Sequence, residues 1–207
     1  TVVRELRAAG LVGRKIAAAR VFWPRTLAAP AAARFPRAIR GLEIRAHSRS
    51  AKFVVLELSG GFTLLIHLRM SGHLDVHPPQ TLPRPHDRVV LTLDNGQQLH
   101  FEDTRKFGRI WLLRDPATVL GKLGPEPFEI APAAFRRGLA ERARRLKPLL
   151  LDQTFLAGVG NIYSDEALWA ARLHPCRRAD TLTAAQAAEL LGAIQAVLRR
   201  GIRNLGT

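Results

Sequence analysis

The hydrophobic pattern divides the chain into a first part with strand periodicity and a second part with helix periodicity. Between residues 15 and 113, short apolar runs are separated by turn sequences such as Ser59-Gly60-Gly61 and Asp94-Asn95-Gly96. The predicted strands are Lys15–Phe22, Glu43–Arg49, Phe53–Leu58, Thr63–Leu68, Val89–Leu93, Gln98–Glu102 and Arg109–Leu113. Many short strands with turns between them are typical of an antiparallel sandwich or barrel.

Apolar residues at helical spacing lie on both sides of this strand-rich part. The spacing predicts a first helix over Thr1–Gly10, and segment 28–37 is expected to be a loop or a short helix. Segment 116–132 holds several prolines and glycines and is expected to be a hinge between domains. The helices predicted beyond it are Ala133–Ala143, Pro148–Asp152, Ile162–Ala171 and Ala184–Arg200, the last with Thr183 as its N-cap.

These elements predict an α+β fold with two domains. Residues 1–115 are expected to form an antiparallel β-sandwich with a flanking helix, and residues 133–207 a helical domain.

The charge of the chain indicates a polyanionic partner. Its 207 residues include 32 Lys and Arg against 17 Asp and Glu, a formal net charge of +15. A surplus of this size favours nucleic acid, with an anionic membrane surface as the main alternative. No apolar run approaches the roughly 20 residues that span a bilayer. The single cysteine, Cys176, excludes an internal disulfide and is too few for a cysteine-rich zinc site.

A glycine-bracketed turn, Gly158-Val159-Gly160, stands between two predicted helices. Two glycines permit a backbone that side chains would block, so that turn amides and the next helix N-terminus can approach a phosphate. Asn161 is expected to cap that helix and also to donate to a phosphate oxygen. An ordinary tight helix connection is the alternative, and the nearby basic residues favour phosphate binding.

Two further segments follow strands and are expected to be loops on a sheet scaffold: His67–Gly72 and Asp103–Gly108. Taken alone, Met70 and Phe107 would be core residues and His67 a hydrogen-bonded histidine at a strand end.

Taken together, six segments of this sequence resemble formamidopyrimidine-DNA glycosylases, in the order in which that family carries them. They are Thr1–Arg4, Ala51–Phe53, His67–Gly72, Asp103–Gly108, Leu123–Pro127 and Gly158–Tyr163. The resemblance covers essentially the whole chain. It implies a β-sandwich joined by a hinge to a helical domain, and it makes the Gly158–Tyr163 region a helix–two-turn–helix motif with duplex DNA as partner.

The resemblance also implies roles for individual residues. A base cannot be attacked inside the duplex stack, so the damaged nucleotide is rotated outward and the space it leaves is filled. The residues that the resemblance assigns to this filling are Met70, Arg105 and Phe107. It assigns the phosphate clamp around the extruded nucleotide to Lys52, His67, Lys147 and Asn161, with Lys52 also an auxiliary acid or base in strand cleavage. Further DNA contacts are implied at His86, Arg142 and Gly160.

Two parts of the family pattern fall outside these 207 residues. The Pro-Glu opening, whose proline amine attacks the sugar, would precede Thr1, and a four-cysteine zinc finger would follow Leu205-Gly206-Thr207. We therefore expect no cofactor within this chain, one zinc ion in that finger, and no catalysis by the 207 residues alone. Two explanations of the missing parts are open: the 207 residues are a fragment of a complete enzyme, or they are only part of a longer chain. A non-catalytic relative is a less favoured third explanation.

The function expected from the sequence is base-excision repair: a bifunctional DNA glycosylase and abasic-site lyase that removes oxidised purines such as 8-oxoguanine and formamidopyrimidines. The alternatives are a glycosylase of the endonuclease VIII type, which prefers oxidised pyrimidines, and a non-catalytic nucleic-acid-binding module. We expect a monomer that needs no membrane and that works in the bacterial cytoplasm, associated with the nucleoid.

Overall fold

The structure is a computed structural model that describes residues 2–204, and its chain contacts divide into two compact units. The first unit is Val2–Thr118, and the second begins at Val119. The predicted domain limits, 1–115 and 133–207 around a hinge at 116–132, stay predictions; Thr1 and residues 205–207 lie outside the described residues.

The first unit is built from two sheets. Its described strands are β1 Ile16–Val21, β2 Leu27–Ala29, β3 Ile44–Ser50, β4 Phe53–Leu58, β5 Phe62–His67, β6 Gly72–His77, β7 Asp87–Leu93, β8 Gln98–Asp103 and β9 Arg109–Leu113. One sheet has four strands in the order β1-β7-β8-β6, and the other has five in the order β2-β9-β5-β4-β3.

A shared hydrophobic core lies between the two sheets. Leu56 and Ile66 reach it from the five-stranded sheet, and Val89, Leu91 and Phe101 reach it from the four-stranded sheet. Removing this apolar surface from water is the main stabilising contribution to the sandwich. The predicted β-sandwich of an α+β fold is confirmed, although β2 pairs with β9 in parallel rather than antiparallel.

Two strands were not predicted from the sequence. Strand β2 is only three residues long and lies in the segment expected to be a loop or short helix, which also holds helix α2, Phe35–Ile39. Strand β6 begins at Gly72, where the sequence predicted only a loop. Its apolar residues Leu74 and Val76 alternate with polar ones, so the strand period was present but confined to six residues.

The helices predicted from the sequence lie within a few residues of their predicted positions, whereas a further helix, Ala117–Leu120, was not predicted and lies in the segment expected to be a hinge. Helix α1 covers Val2–Ala8, and Gly10 beyond it has a positive φ of 67° that ends the helical path. The later helices are α3 Ala117–Leu120, α4 Pro132–Ala140, α5 Leu146–Leu151, α6 Asn161–Ala170 and α7 Ala184–Arg203. Thr183 caps α7 as predicted, in a reciprocal capping box with Gln186.

The second unit has its own apolar core. Residues of α4 to α7 meet there, among them Phe135, Leu149, Leu168 and Ile194. The structure therefore gives each unit a separate set of buried contacts to hold its surface loops in place. Among the described residues, no helix combines the length and the apolar character needed to cross a membrane.

Candidate functional site

In the first unit, the candidate residues gather at one end of the five-stranded sheet. The strand register pairs Phe53 with His67 across β4 and β5, and His67 with Arg109 across β5 and β9. Lys52 directly precedes Phe53, so Lys52 and His67 belong to the same sheet end. The loop 68–71 leaves this end from His67, and the loop 104–108 enters it at Arg109.

His67 is a buried, neutral histidine. Its side chain is 8% exposed, and the ring meets Phe53 edge-on at 4.8 Å between centroids. Burial, followed by the charges of Arg69 and Lys52, lowers the pKa of His67 to about 4 against an opposing backbone hydrogen bond. The Arg69 amide donates to Nδ1 at 3.0 Å, so the neutral ring carries its proton on Nε2 and can donate it.

Lys52 is half-buried beside this histidine, in the turn between β3 and β4. Burial and, secondly, the charge of Arg69 lower the pKa of the Lys52 amine. A lowered pKa brings an amine closer to proton exchange at neutral pH. Burial and the neighbouring charge of Arg69 thus favour the neutral form of Lys52, and its role as an acid or base stays a prediction.

Met70, Arg105 and Phe107 extend from the two loops into solvent. Met70 is 73% exposed and Phe107 53% exposed, although both are large and apolar. An Arg105 Nη donates to the Met70 sulfur at 3.6 Å, so the two loops meet at their tips. The alternative that Met70 and Phe107 are core residues is therefore wrong.

Asp103 organises these loops, and it was not identified from the sequence. Its Oδ2 accepts the Gly108 amide at 2.7 Å, and its Oδ1 accepts the Ser71 hydroxyl at 2.5 Å and the Arg105 amide at 3.2 Å. Burial alone would raise the pKa of Asp103, but the hydrogen bonds from Ser71, Gly108, Arg105 and Phe107 lower it overall. An Asp that begins a turn after a strand commonly bonds to the amides that follow, and this was the available signal.

His86 lies close to the same carboxylate-centred network. Its carbonyl accepts the Asp103 amide at 2.9 Å, and its exposed ring contacts the Arg88 guanidinium at 3.3 Å. The Arg88 Nε in turn donates to the Asp103 carbonyl at 2.8 Å. The structure therefore brings His86 to the neighbourhood of the loop 104–108, and its DNA contact stays a prediction.

In the second unit, the glycine turn lies between α5 and α6. Gly158 has a φ of 92°, in the left-handed region that favours glycine. The Gln153 side chain supports the turn from within: its Nε2 donates to the carbonyls of Leu151 and Val159, and its Oε1 accepts the Gly158 amide at 3.0 Å. Gln153 was not identified from the sequence, because a single glutamine in a loop carries no distinctive pattern.

The expectation that Asn161 caps α6 is wrong. The N-cap is Gly160, in extended backbone and without a side-chain cap, and Asn161 is the first helical residue, with an exposed side chain. The first intrahelical bond runs from the Ser164 amide to the Gly160 carbonyl, so the preceding amides point outward from the helix end. Such an end favours an anion, and Asn161 is free to extend toward it.

The basic candidates of this unit are already engaged. Lys147 Nζ pairs with Asp165 Oδ2 on α6 at 2.8 Å, both groups being partly exposed. Arg142 donates to the Gly138 carbonyl at 2.8 Å, and its guanidinium lies over the Phe155 ring at 5.2 Å. Arg142 therefore covers apolar surface as well as carrying charge, and the phosphate contacts of both residues stay predictions.

Residues 2–204 offer no metal centre of the usual composition. Within that range, three or more His, Cys, Asp or Glu side chains nowhere come together in a way that could hold an ion. The described residues therefore do not fit zinc.

Comparisons with known proteins agree for both units. The profile of the formamidopyrimidine-DNA glycosylase N-terminal domain matches residues 1–110, and that of the H2TH domain of the same glycosylases matches residues 123–207. The formamidopyrimidine-DNA glycosylase of Chloroflexus aurantiacus is 45% identical over 212 residues, which cover 100% of this chain and 76% of that protein. That of Protochlamydia amoebophila is 40% identical over 213 residues, with the same coverage.

Solved structures give the same result. Lactococcus lactis Fpg (MutM) in complex with DNA that contains Fapy-dG superposes with a TM-score of 0.92 and 31% identity, over 100% of this chain and 79% of that one. A MutM complex with DNA that contains carbocyclic 8-oxo-G superposes with a TM-score of 0.91 and 32% identity, over 100% and 78% of the two chains.

Proposed function

The chain belongs to the formamidopyrimidine-DNA glycosylase family, and on that premise we propose that the protein removes oxidised purines, 8-oxoguanine and formamidopyrimidines, from duplex DNA. We further propose that it cleaves the strand at the resulting abasic site, and that it works as a monomer in the bacterial cytoplasm. The net charge of +15 supports a DNA partner.

The observation that carries this proposal is the exposure of Met70 and Phe107 on two adjoining loops. Apolar side chains that are exposed on neighbouring loops, rather than scattered singly, mark a surface that binds a partner. A space vacated within a base stack is such a partner, because it is apolar and the width of a ring. Arg105, whose guanidinium contacts the Met70 sulfur at 3.6 Å, would offer donors to the base that has lost its pairing partner.

Lys52 and His67 support the chemical part of the proposal. His67 would donate from Nε2 to a phosphate or sugar oxygen without carrying a charge of its own. Lys52, with its lowered pKa, would accept or return a proton during strand cleavage. We assign binding, orientation and proton transfer to these residues, and not the covalent bond, which the resemblance gives to a proline amine.

The second unit supports binding to the DNA backbone. The amides at the start of α6, the Asn161 side chain and the Lys147 ammonium all suit phosphate oxygens. None of them reads a base, so this unit would bind every sequence about equally.

A paired-substrate assay tests the proposal. The full-length protein is incubated with duplexes that contain one 8-oxoguanine, one thymine glycol or no lesion, and released bases and cleaved strands are measured. We expect base release and strand cleavage on 8-oxoguanine at least about 10-fold faster than on thymine glycol, a difference of about 1.4 kcal/mol. Borohydride is expected to trap a covalent DNA adduct, because a Schiff base is reduced to a stable amine.

The two alternatives give different results in the same assay. A preference for thymine glycol would indicate the oxidised-pyrimidine branch. Binding without base release or trapping would indicate a non-catalytic DNA-binding module.

A further inference from the structure

The two exposed loops of the first unit connect the same two sheets, in opposite directions. The loop 68–71 runs from β5 of the five-stranded sheet to β6 of the four-stranded sheet. The loop 104–108 runs back from β8 to β9, and the register pairs Gly72 at the start of β6 with Asp103 at the end of β8. The loops therefore leave the sandwich side by side, and their tips meet at Arg105 and Met70.

One hydrogen-bonded junction joins the two loops at their base. The Ser71 hydroxyl belongs to the first loop; it donates to Asp103 Oδ1 and accepts the Arg105 amide at 3.2 Å. Asp103 is buried, and its other oxygen binds the Gly108 amide at the far end of the second loop. Ser71 and Asp103 thus contact both loops, whereas Met70 and Phe107 are too exposed to be held by core packing.

Each loop also contains a backbone position that has to be held in place. Arg69 and Lys106 have positive φ values of 59° and 60°, which cost a non-glycine residue roughly 1 kcal/mol or more. The Lys106 ammonium lies over the Trp23 ring at 4.2 Å, and the Arg69 amide is bonded to His67. A cation–π contact at Lys106 and a hydrogen bond at Arg69 thus support the two left-handed positions.

We propose that Ser71 and Asp103 are positioning residues that couple the loop 68–71 to the loop 104–108, so that Met70, Arg105 and Phe107 enter the duplex as one unit. This inference rests on the proposed function, since it presupposes that these three side chains replace an extruded base. A coupled unit fills the vacated space in a single step, because neither loop has to be ordered after the other has entered.

Coupling between Met70 and Phe107 is measurable by a double-mutant cycle. The full-length protein and its M70A, F107A and M70A/F107A variants are mixed with a duplex that carries 8-oxoguanine beside 2-aminopurine, whose fluorescence rises on unstacking. We expect each single substitution to slow extrusion about 10-fold and the double variant to be little slower than either single one. In an S71A background, the effects of M70A and F107A on the extrusion rate are expected to become additive. The S71A substitution alone is expected to slow extrusion about 5-fold.

Two further variants separate positioning from folding. Ser71→Thr keeps a hydroxyl and is expected to restore most of the coupling. Ser59→Ala is the matched control, because the Ser59 hydroxyl accepts the Glu43 amide at 2.9 Å, and Ser59 follows β4 at the end opposite Phe53. Ser59→Ala is expected to lower the melting temperature about as much as S71A. It is expected to leave the coupling between M70A and F107A unchanged.

The outcomes distinguish this inference from the proposed function. Suppose that fluorescence rises in the unmodified protein. The inference alone is then overturned if the effects of M70A and F107A are additive in the unmodified background, or if they stay coupled in the S71A background. No fluorescence rise in the unmodified protein overturns the proposed function and the inference with it.

Discussion

The two units present their candidate residues in different ways. In the sheet unit, a buried carboxylate, a buried histidine and a half-buried lysine stand behind two loops whose tips are exposed. In the helical unit, the candidates are surface groups: an exposed amide side chain, the end of a helix, and a lysine that already has an acidic partner on the surface.

This difference indicates a difference in sensitivity to mutation. Buried polar groups act through fixed geometry, so that one substitution removes a function that no neighbour replaces. Exposed charges act through long-range attraction that several groups share, and each contributes a modest, salt-dependent part. We therefore expect large, specific losses from the sheet unit and small, general losses from the helical unit.

Lys52 provides the largest expected effect. Lys52→Gln shortens the side chain by one atom and keeps its ability to donate a hydrogen bond, but it removes the exchangeable charge. We expect strand cleavage to fall at least about 100-fold, the lower range for a general acid or base, while DNA binding falls less than about 10-fold. Single-turnover cleavage and equilibrium binding of the full-length protein measure the two quantities. A parallel loss in both would place Lys52 with the shared phosphate contacts and break the contrast between the units.

The sequence identified the exposed candidates more readily than their supports. The glycine turn was found from its own residues, whereas Met70, Arg105 and Phe107 were found because they belong to segments with a family resemblance. Of their partners, Asp103 carried a weak signal, because an Asp that begins a turn after a strand commonly binds the amides that follow. Gln153, which accepts the Gly158 amide, carried none.

The misplaced elements have a similar explanation. Strand β2 depends on parallel pairing with β9, which lies more than eighty residues later in the chain. Local periodicity carries no information on such pairing. Asn161 was expected to be a cap because Asn favours that position. Gly160 already has the extended backbone that the cap needs, so the helix begins at Asn161, one residue earlier than predicted.

Lys147 provides an intermediate effect in the helical unit. Lys147→Ala removes the cation that pairs with Asp165 of α6, and we expect the affinity for duplex DNA to fall about 10-fold, or about 1.4 kcal/mol, regardless of sequence. The slope of log affinity against log salt should become shallower by about 0.9. Fluorescence anisotropy with lesion-bearing and undamaged duplexes at several salt concentrations measures both.

The matched control for Lys147 is another ion pair of the same unit. Arg200 pairs with Glu166 at 3.0 Å, with both side chains more than half exposed. Arg200→Ala removes the same charge from α7, and it is expected to change the salt slope by less than half as much. Equal changes in the two variants would mean that net charge alone, rather than a site at the glycine turn, determines binding.

His67 provides the smallest expected effect, which appears in stability without DNA. The pKa of His67 is about 4 in the folded protein and near 6.5 in the unfolded chain, so at pH 5.5 the unfolded chain binds a proton that the folded protein does not. Stability is therefore lost as pH falls from above 6.5 toward 4, and about 1 kcal/mol of this loss lies between pH 7.5 and 5.5. In the helical unit Asp152, whose pKa is held at about 2 by hydrogen bonds from Arg144 and Thr154, titrates below this range. Urea unfolding at the two pH values should show a loss about 1 kcal/mol greater in the unmodified protein than in His67→Gln, because every other group titrates alike in both. Equal losses would mean that His67 is protonated or solvated in the folded state. This result would contradict the assignment of a neutral ring that donates from Nε2.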